Sequence, residues 1–155
     1  MLRVTIIAVG KLHEPWKSLA TQYSKQLKPF AKIESIEVKD VRFTSAHDRD
    51  RVLAKETENI LAAVSEHSHL IALSEHGKEY STPAFAAMLK KIESEGAHLT
   101  FAIGGPLGIG QTVLKKSKAV LSLSPMTFTH EMARVILLEQ LYRGLTIINN
   151  KTYHY

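Results

Sequence analysis

The sequence predicts an α/β fold: one domain over residues 1–155 in which a mostly parallel sheet is flanked by helices. Short apolar, β-branched runs alternate with stretches of helical period, the pattern of strand–helix–strand units. Several apolar runs stop at glycine, serine or proline, residues that end a strand in a turn. The length suits a single domain, which can bury about two-thirds of its unfolded surface. Neither a repeat nor a linker divides it.

Leu2–Val9 alternates weakly and is β-branched, so it reads as the first strand. Pro15 stands at a helix start and Pro29 just past its end. Between them Trp16, Leu19, Tyr23 and Leu27 keep helical spacing. Residues 32–38, with Ile33, Ile36 and Val38, form a short strand, and 41–47 a polar loop. Leu53, Thr57, Ile60, Leu61 and Val64 mark a second helix. Leu70-Ile71-Ala72-Leu73 is a buried strand ending in Ser-Glu-His-Gly-Lys. Ser81 and Thr82, followed by Pro83, open a third helix through Met88, Leu89 and Ile92. Residues 99–103 are another buried strand, 110–116 a short helix and 119–123 a last strand. Thr129 is placed as the N-cap of a final helix reaching about Ile148. In that helix Met132, Val135, Ile136, Leu137, Leu138, Leu141, Tyr142 and Leu145 leave little polar surface. Apolar over more than one stripe, it is expected to be buried on more than one side, with a second copy of the chain as the simplest partner.

Composition excludes several classes. With 45% hydrophobic and 23% charged residues the chain can build a core, so it is not a disordered segment. The absence of cysteine removes disulfides, cysteine zinc sites and cysteine nucleophiles. The apolar run at the start is too short for a signal peptide, and no run approaches a membrane span. A cytoplasmic protein is expected, with no membrane partner. The net charge of +5, with basic clusters at Lys25-Lys28-Lys32, Arg49-Arg51-Lys55, Lys90-Lys91 and Lys115-Lys116-Lys118, points to a polyanion. Each cluster by itself reads as an ordinary solvated face.

The chemistry is concentrated in residues 101–130. Two strands end there in loops that cannot continue as regular structure: Gly104-Gly105-Pro106-Leu107-Gly108-Ile109-Gly110, and Leu123-Ser124-Pro125-Met126-Thr127-Phe128. Glycine lets backbone approach a ligand closely, and loops at the carboxyl ends of neighbouring strands frame a crevice. The glycine spacing fits neither the dinucleotide fingerprint nor a Walker loop. His130-Glu131 begins like a zinc protease helix, but Arg134 stands where the second histidine is needed. No nucleophile elbow is present. With no metal cluster or triad evident, a reaction whose reactive group arrives with a cofactor remains open. Methyl transfer from S-adenosylmethionine fits, because the protein then mainly aligns donor and acceptor. Adenine can be walled by Leu73, Ile103, Gly104, Gly105 and the second loop. Met126 and Phe128 suit plain core equally well.

These residues form a familiar series. Ala8-Val9-Gly10-Lys11, Leu73 with Gly77-Lys78, Ile103-Gly104-Gly105-Pro106-x-Gly108, Leu121-Ser122-Leu123-Ser124-x-Met126-Thr127-Phe128-x-His130, Arg134-Val135, 139–143 and Tyr153-His154 resemble the ribosomal RNA large subunit methyltransferase H family. The resemblance covers the whole chain. It implies a SPOUT methyltransferase with a carboxy-terminal trefoil knot, an exception to the rule of unknotted folds. It also implies a homodimer with active sites at the subunit interface. The implied activity is S-adenosylmethionine-dependent N3 methylation of a pseudouridine in 23S ribosomal RNA, on the assembled ribosome. By position, Leu73, Gly104 and Leu123, Ser124, Pro125, Met126, Thr127 and Phe128 are then expected at the methyl donor. Arg143, Tyr153 and His154 are expected at the substrate, at the partner's donor site. His154 becomes the titratable candidate for a base, Arg143 a fork for phosphate or an anionic oxygen, and Tyr153 a stacking partner. Arg143 reads equally as a helix pair with Glu139, four residues earlier. Leu107, Thr129 and Tyr155 depart from the family pattern, which has commonly a polar or acidic residue, proline and a basic residue there. A non-enzymatic ribosome- or RNA-binding protein on the same scaffold is the alternative.

Overall fold

Five strands and five α-helices alternate in a computed structural model that describes residues 1–153. The order is β1 (Leu2–Val9), α1 (Trp16–Leu27), β2 (Ala31–Val38), a 3₁₀ turn (Ala46–Asp48), α2 (Arg49–Ala63), β3 (His69–Glu79), α3 (Thr82–Ser94), β4 (His98–Ile103), α4 (Gln111–Lys116), β5 (Ala119–Ser122) and α5 (His130–Ile148). The sheet runs β2-β1-β4-β3-β5 with every neighbouring pair parallel. Parallel strands send all their carboxyl ends to one edge, and the site is built there.

Each face of the sheet has its own core. In β1, Leu2, Val4, Ile6 and Ala8 point into a cluster shared with α1, α3 and α5, while Ile7 and Val9 point into a second one under α2 and α4. This alternation follows from the period of two along a strand. The helices begin where their caps are. Ser81 Oγ accepts from Ala84 N at 3.3 Å with Pro83 in the first turn of α3, and Thr129 Oγ1 accepts from Met132 N at 3.3 Å.

Two expectations are corrected, and a third is met in a different way. The buried face of α2 is Val52, Glu56 and Ile60, one residue out of step with the Leu53–Thr57 stripe. Leu53 and Thr57 are only half-buried, and the helix starts at Arg49 after a 3₁₀ turn within the expected loop. The third strand does not end at Leu73. Leu73 and Lys78 both pair with Leu121, so the chain bulges out between them and rejoins β5. A side chain at Gly77 would lie 2.6 Å from the Val120 carbonyl oxygen, and this closeness is what the glycine permits. Finally, α5 finds most of its cover inside the chain. It lies between α1 and α3 and touches β1 and β4, with Leu137, Leu138, Leu141 and Leu145 at most 1% exposed. Its apolar stripes therefore do not by themselves require a second copy. Met132, Ile136, Gln140, Arg143 and Ile147 remain partly open along one side. Among the described residues no helix is long and apolar enough to cross a membrane.

Candidate functional site

The bulge of β3 after Leu73 and the carboxyl ends of β4 and β5 surround a cavity of about 820 Å³. Leu73, Ile103 and Leu123 give it apolar walls; Gly104, Gly105, Pro106, Leu107, Gly108 and Ile109 line it from the loop after β4. That loop folds on itself. Gly105 and Gly108 form an isolated antiparallel bridge, with Gly108 N donating to Gly105 O at 2.9 Å. Gly108 adopts φ +84°, and a side chain at Gly104 would run into the Gly108 carbonyl. The two ends of the loop can thus touch backbone to backbone only with glycine at both places. In the loop after β5, Ser124 Oγ accepts from Met126 N at 3.0 Å and turns the chain. Met126, 75% exposed, and Thr127 and Phe128 follow along the rim.

Of the residues expected at the donor, Leu73, Gly104, Gly105, Leu123, Ser124, Met126, Thr127 and Phe128 all line this cavity. Pro125 belongs to the same loop but is not part of the lining. The walls fit a nucleoside: apolar on two sides, with backbone open to close approach at the glycines.

The floor continues into the start of α5, which the sequence offers as a failed zinc motif and as part of the family pattern, without a role at the donor. His130, Glu131 and Ala133 line the cavity. Gly10, at φ +88°, leaves room for the imidazole, whose Cε1 lies 3.2 Å from where a side chain would begin. His130 Nδ1 is buried without a partner among the described residues. Burial holds the imidazole below its ordinary pKa, against the opposing pull of Glu131, so its neutral form is favoured. One turn on, Arg134 is 2% exposed. It donates to Glu37 Oε1 at 2.9 Å and to the Gly10 carbonyl at 3.4 Å. Glu37 also accepts from Leu12 N at 3.1 Å. Burial acts to raise the Glu37 pKa, but the Arg134 bond, the Leu12 N–H and the charges of Arg134 and Lys11 outweigh it and hold it low. Glu131 accepts from His13 N at 2.6 Å, and this bond lowers its pKa. The spacing of four that excludes a second zinc ligand is the signal that was available: it places His130 and Arg134 on one face of the helix.

Arg143 and Tyr153 are elsewhere. Arg143 Nε and Nη2 both donate to Glu139 Oε1, at 2.9 and 2.6 Å, and this bond raises its pKa first of all. Its guanidinium carbon stands 4.8 Å over the Tyr153 ring, which meets Tyr142 edge-on at 4.6 Å. Burial, then the bond with Tyr23, pushes the Tyr153 phenol up. His130 and Arg143 are thirteen positions apart on the helix, a rise of about 20 Å. The chain therefore does not bring its own Arg143 and Tyr153 to its own cavity. His154 lies outside the described residues. Among the described residues no cluster of three metal-ligating side chains occurs.

A family model described as a predicted SPOUT methyltransferase matches residues 2–154. The ribosomal RNA large subunit methyltransferase H of Ruminiclostridium cellulolyticum is 41% identical, over 99% of each chain. That of Pseudothermotoga lettingae is 36% identical, over 99% of this chain and all of the other. Among solved structures, a probable methyltransferase from Bordetella pertussis superposes with a TM-score of 0.58 at 12% identity, covering 93% of this chain and 95% of that one. A probable methylase family protein from Haemophilus influenzae gives 0.55 at 14%, covering 99% and 70%. At these identities the likeness concerns the fold.

Proposed function

This chain belongs to the ribosomal RNA large subunit methyltransferase H family of SPOUT methyltransferases, and we propose that it methylates N3 of a pseudouridine in 23S ribosomal RNA within the assembled ribosome. The methyl donor is S-adenosylmethionine, held in the cavity between the bulge of β3 and the ends of β4 and β5. The enzyme works in the cytoplasm as a homodimer, and its last elements form the trefoil knot of its family. The observation that carries this reading is the gathering of two separate loops and Leu73 around one cavity with apolar walls and glycine backbone.

When bound, the donor supplies an already activated methyl group. The apolar walls of Leu73, Ile103 and Leu123 hold its adenine, and the glycine loop brings backbone groups within reach of it. Water is kept from this part of the site by the same walls. The acceptor N3 of the base carries a proton that must leave, and His154 takes it. Arg143 steadies the developing negative charge on the base or a neighbouring phosphate, where its planar fork can act in two bonds. Tyr153 stacks on the base. Because Arg143 and Tyr153 lie at the far end of α5 from their own cavity, these groups serve the cavity of the second copy.

Ribosomes lacking the modification, incubated with the protein and labelled donor, are expected to gain label at a single pseudouridine, located by mapping of the modified nucleotide. Ribosome binding without label transfer would instead point to a non-catalytic protein on this scaffold.

A further inference from the structure

Glu56 is the one carboxyl group of α2 that faces inward. It is 3% exposed, between Val52 and Ile60, which are each 1% exposed. Its Oε1 accepts a long bond, 3.4 Å, from Val41 N in the loop after β2. Its Oε2 is buried and has no partner among the described residues. The space beyond it is that of a missing side chain. A Cβ on Gly105 would lie 3.2 Å from Oε2, 3.4 Å from Oε1 and 3.2 Å from Val9 Cγ1. One residue further on α2, Thr57 Oγ1 occupies the place where a Gly110 side chain would begin. The middle of α2 thus backs the glycine loop at Gly105 and Gly110, the loop whose other side lines the cavity.

An ionised carboxylate in this position would be uncompensated. No lysine or arginine bonds to it among the described residues. Its charged surroundings are few. The loop after β2 presents the carboxylate of Asp40, while β1 presents Val9 and the glycine loop presents Gly105, neither of them titratable. On α2 itself, Lys55 and Glu58 pair with each other at the surface, 3.3 Å apart. A buried charge without a counter-charge is costly, whereas a neutral acid at the same place costs far less. We propose that Glu56 is a positioning residue for the donor loop: a neutral carboxylic acid that ties down the loop after β2 through Val41 and fixes, from behind, the place of Gly105. Burial, reinforced by Asp40 and opposed by the Val41 N–H, shifts its pKa upward, in agreement.

The proposal rests on the donor reading, and two measurements keep them apart. The first is calorimetric binding of S-adenosylhomocysteine to the full chain. Glu56→Gln, neutral and of the same shape, keeps the affinity within about twofold, and Glu56→Ala loses about tenfold. If Glu56→Ala does not fold, Glu56→Asp, one methylene shorter, replaces it and loses affinity too. The second is thermal unfolding of wild type and Glu56→Gln between about pH 5 and pH 9. With a folded-state pKa above the ordinary value, the wild-type benefit of holding the proton is present at low pH and lost as pH rises through the folded pKa. The glutamine has no proton to lose, so Tm shifts in its favour as pH rises. A glutamine variant as damaged as alanine, or a Tm difference that ignores pH, overturns the neutral acid; unchanged affinity in the shortened variants overturns the positioning role. If the wild type binds no donor analogue, the functional reading fails while the thermal series still decides the state of Glu56.

Discussion

At the start of α5, Arg134 is 2% exposed and spans three segments of the chain, bonding Glu37 from β2 and the carbonyl of Gly10 after β1. At the other end, Arg143 bonds, among the described residues, only Glu139, one turn away on the same helix, and lies over Tyr153 from the tail. Two arginines nine positions apart on one helix thus have opposite placements. The first is held by distant partners, one turn beyond the His130 that lines the cavity. The second is held by local ones, and an i,i+4 pair of this kind is worth only a few tenths of a kcal/mol, about 0.3–0.5. A rigid half suits a donor that must be aligned. A half bound by weak local contacts suits a group that must exchange its partner for a substrate.

Five changes test this contrast. Deleting residues 152–155 removes Tyr153 and His154, two of the three groups proposed for the substrate; labelled methyl transfer is expected to fall about a thousandfold with donor affinity unchanged. Full activity in that deletion would remove the tail from the mechanism. Gly104→Val drives a branched side chain into the Gly108 carbonyl, and donor affinity measured by calorimetry should drop about a hundredfold. Retained affinity in a folded variant would move the donor away from this loop. Arg134→Ala leaves Glu37 and the Gly10 carbonyl without their partner and should cost about 2 kcal/mol in urea unfolding, whereas Arg143→Ala should shift stability by less than about 0.5 kcal/mol. Equal costs would erase the difference between the two ends. The smallest effect is in acid. Glu37 has its folded-state pKa held low, so the stability it contributes is present above the ordinary carboxylate value and is lost as pH falls through the folded one. Glu37→Gln should flatten that part of the acid-unfolding curve, and an unchanged curve would show that the Arg134 pair does not feel pH.

The sheet and the two loops that line the cavity were legible because their signals are local. The β-branched run of Leu2–Val9, the Thr129 cap and the glycines from 104 to 110 each announce their conformation within a few residues. The inward face of α2 was legible only in part. Ile60 is buried as expected, and Leu61 and Val64 pack beside it, but Val52 and Glu56 take the places expected for Leu53 and Thr57, because a periodicity reading passes over a stripe with a glutamate in its middle. Only the tertiary setting, with Gly105 against the carboxyl group, shows why that stripe is buried. The return of β3 after Leu73 was hidden for a similar reason, since Ser-Glu-His-Gly-Lys carries no strand pattern and rejoins the sheet through Gly77 and the backbone of β5. His130 and Arg134 were visible as a spacing, but Gly10 and Glu37, which give that spacing its meaning, are far away in sequence. The tail residues rest on resemblance, for nothing in their local pattern distinguishes them from an ordinary chain end.

The order of the strands also bears on how the protein avoids sticking to itself. The borders of the sheet are β2 and β5. β5 is only four residues long, and part of its ladder is taken up by the returning end of β3. β2 is longer, but Lys32, Glu34 and Glu37 interrupt its apolar positions. Short or charged borders make poor templates for strand addition, the route by which exposed sheets nucleate fibres. Another molecule of this chain is thereby discouraged from continuing the sheet at either border.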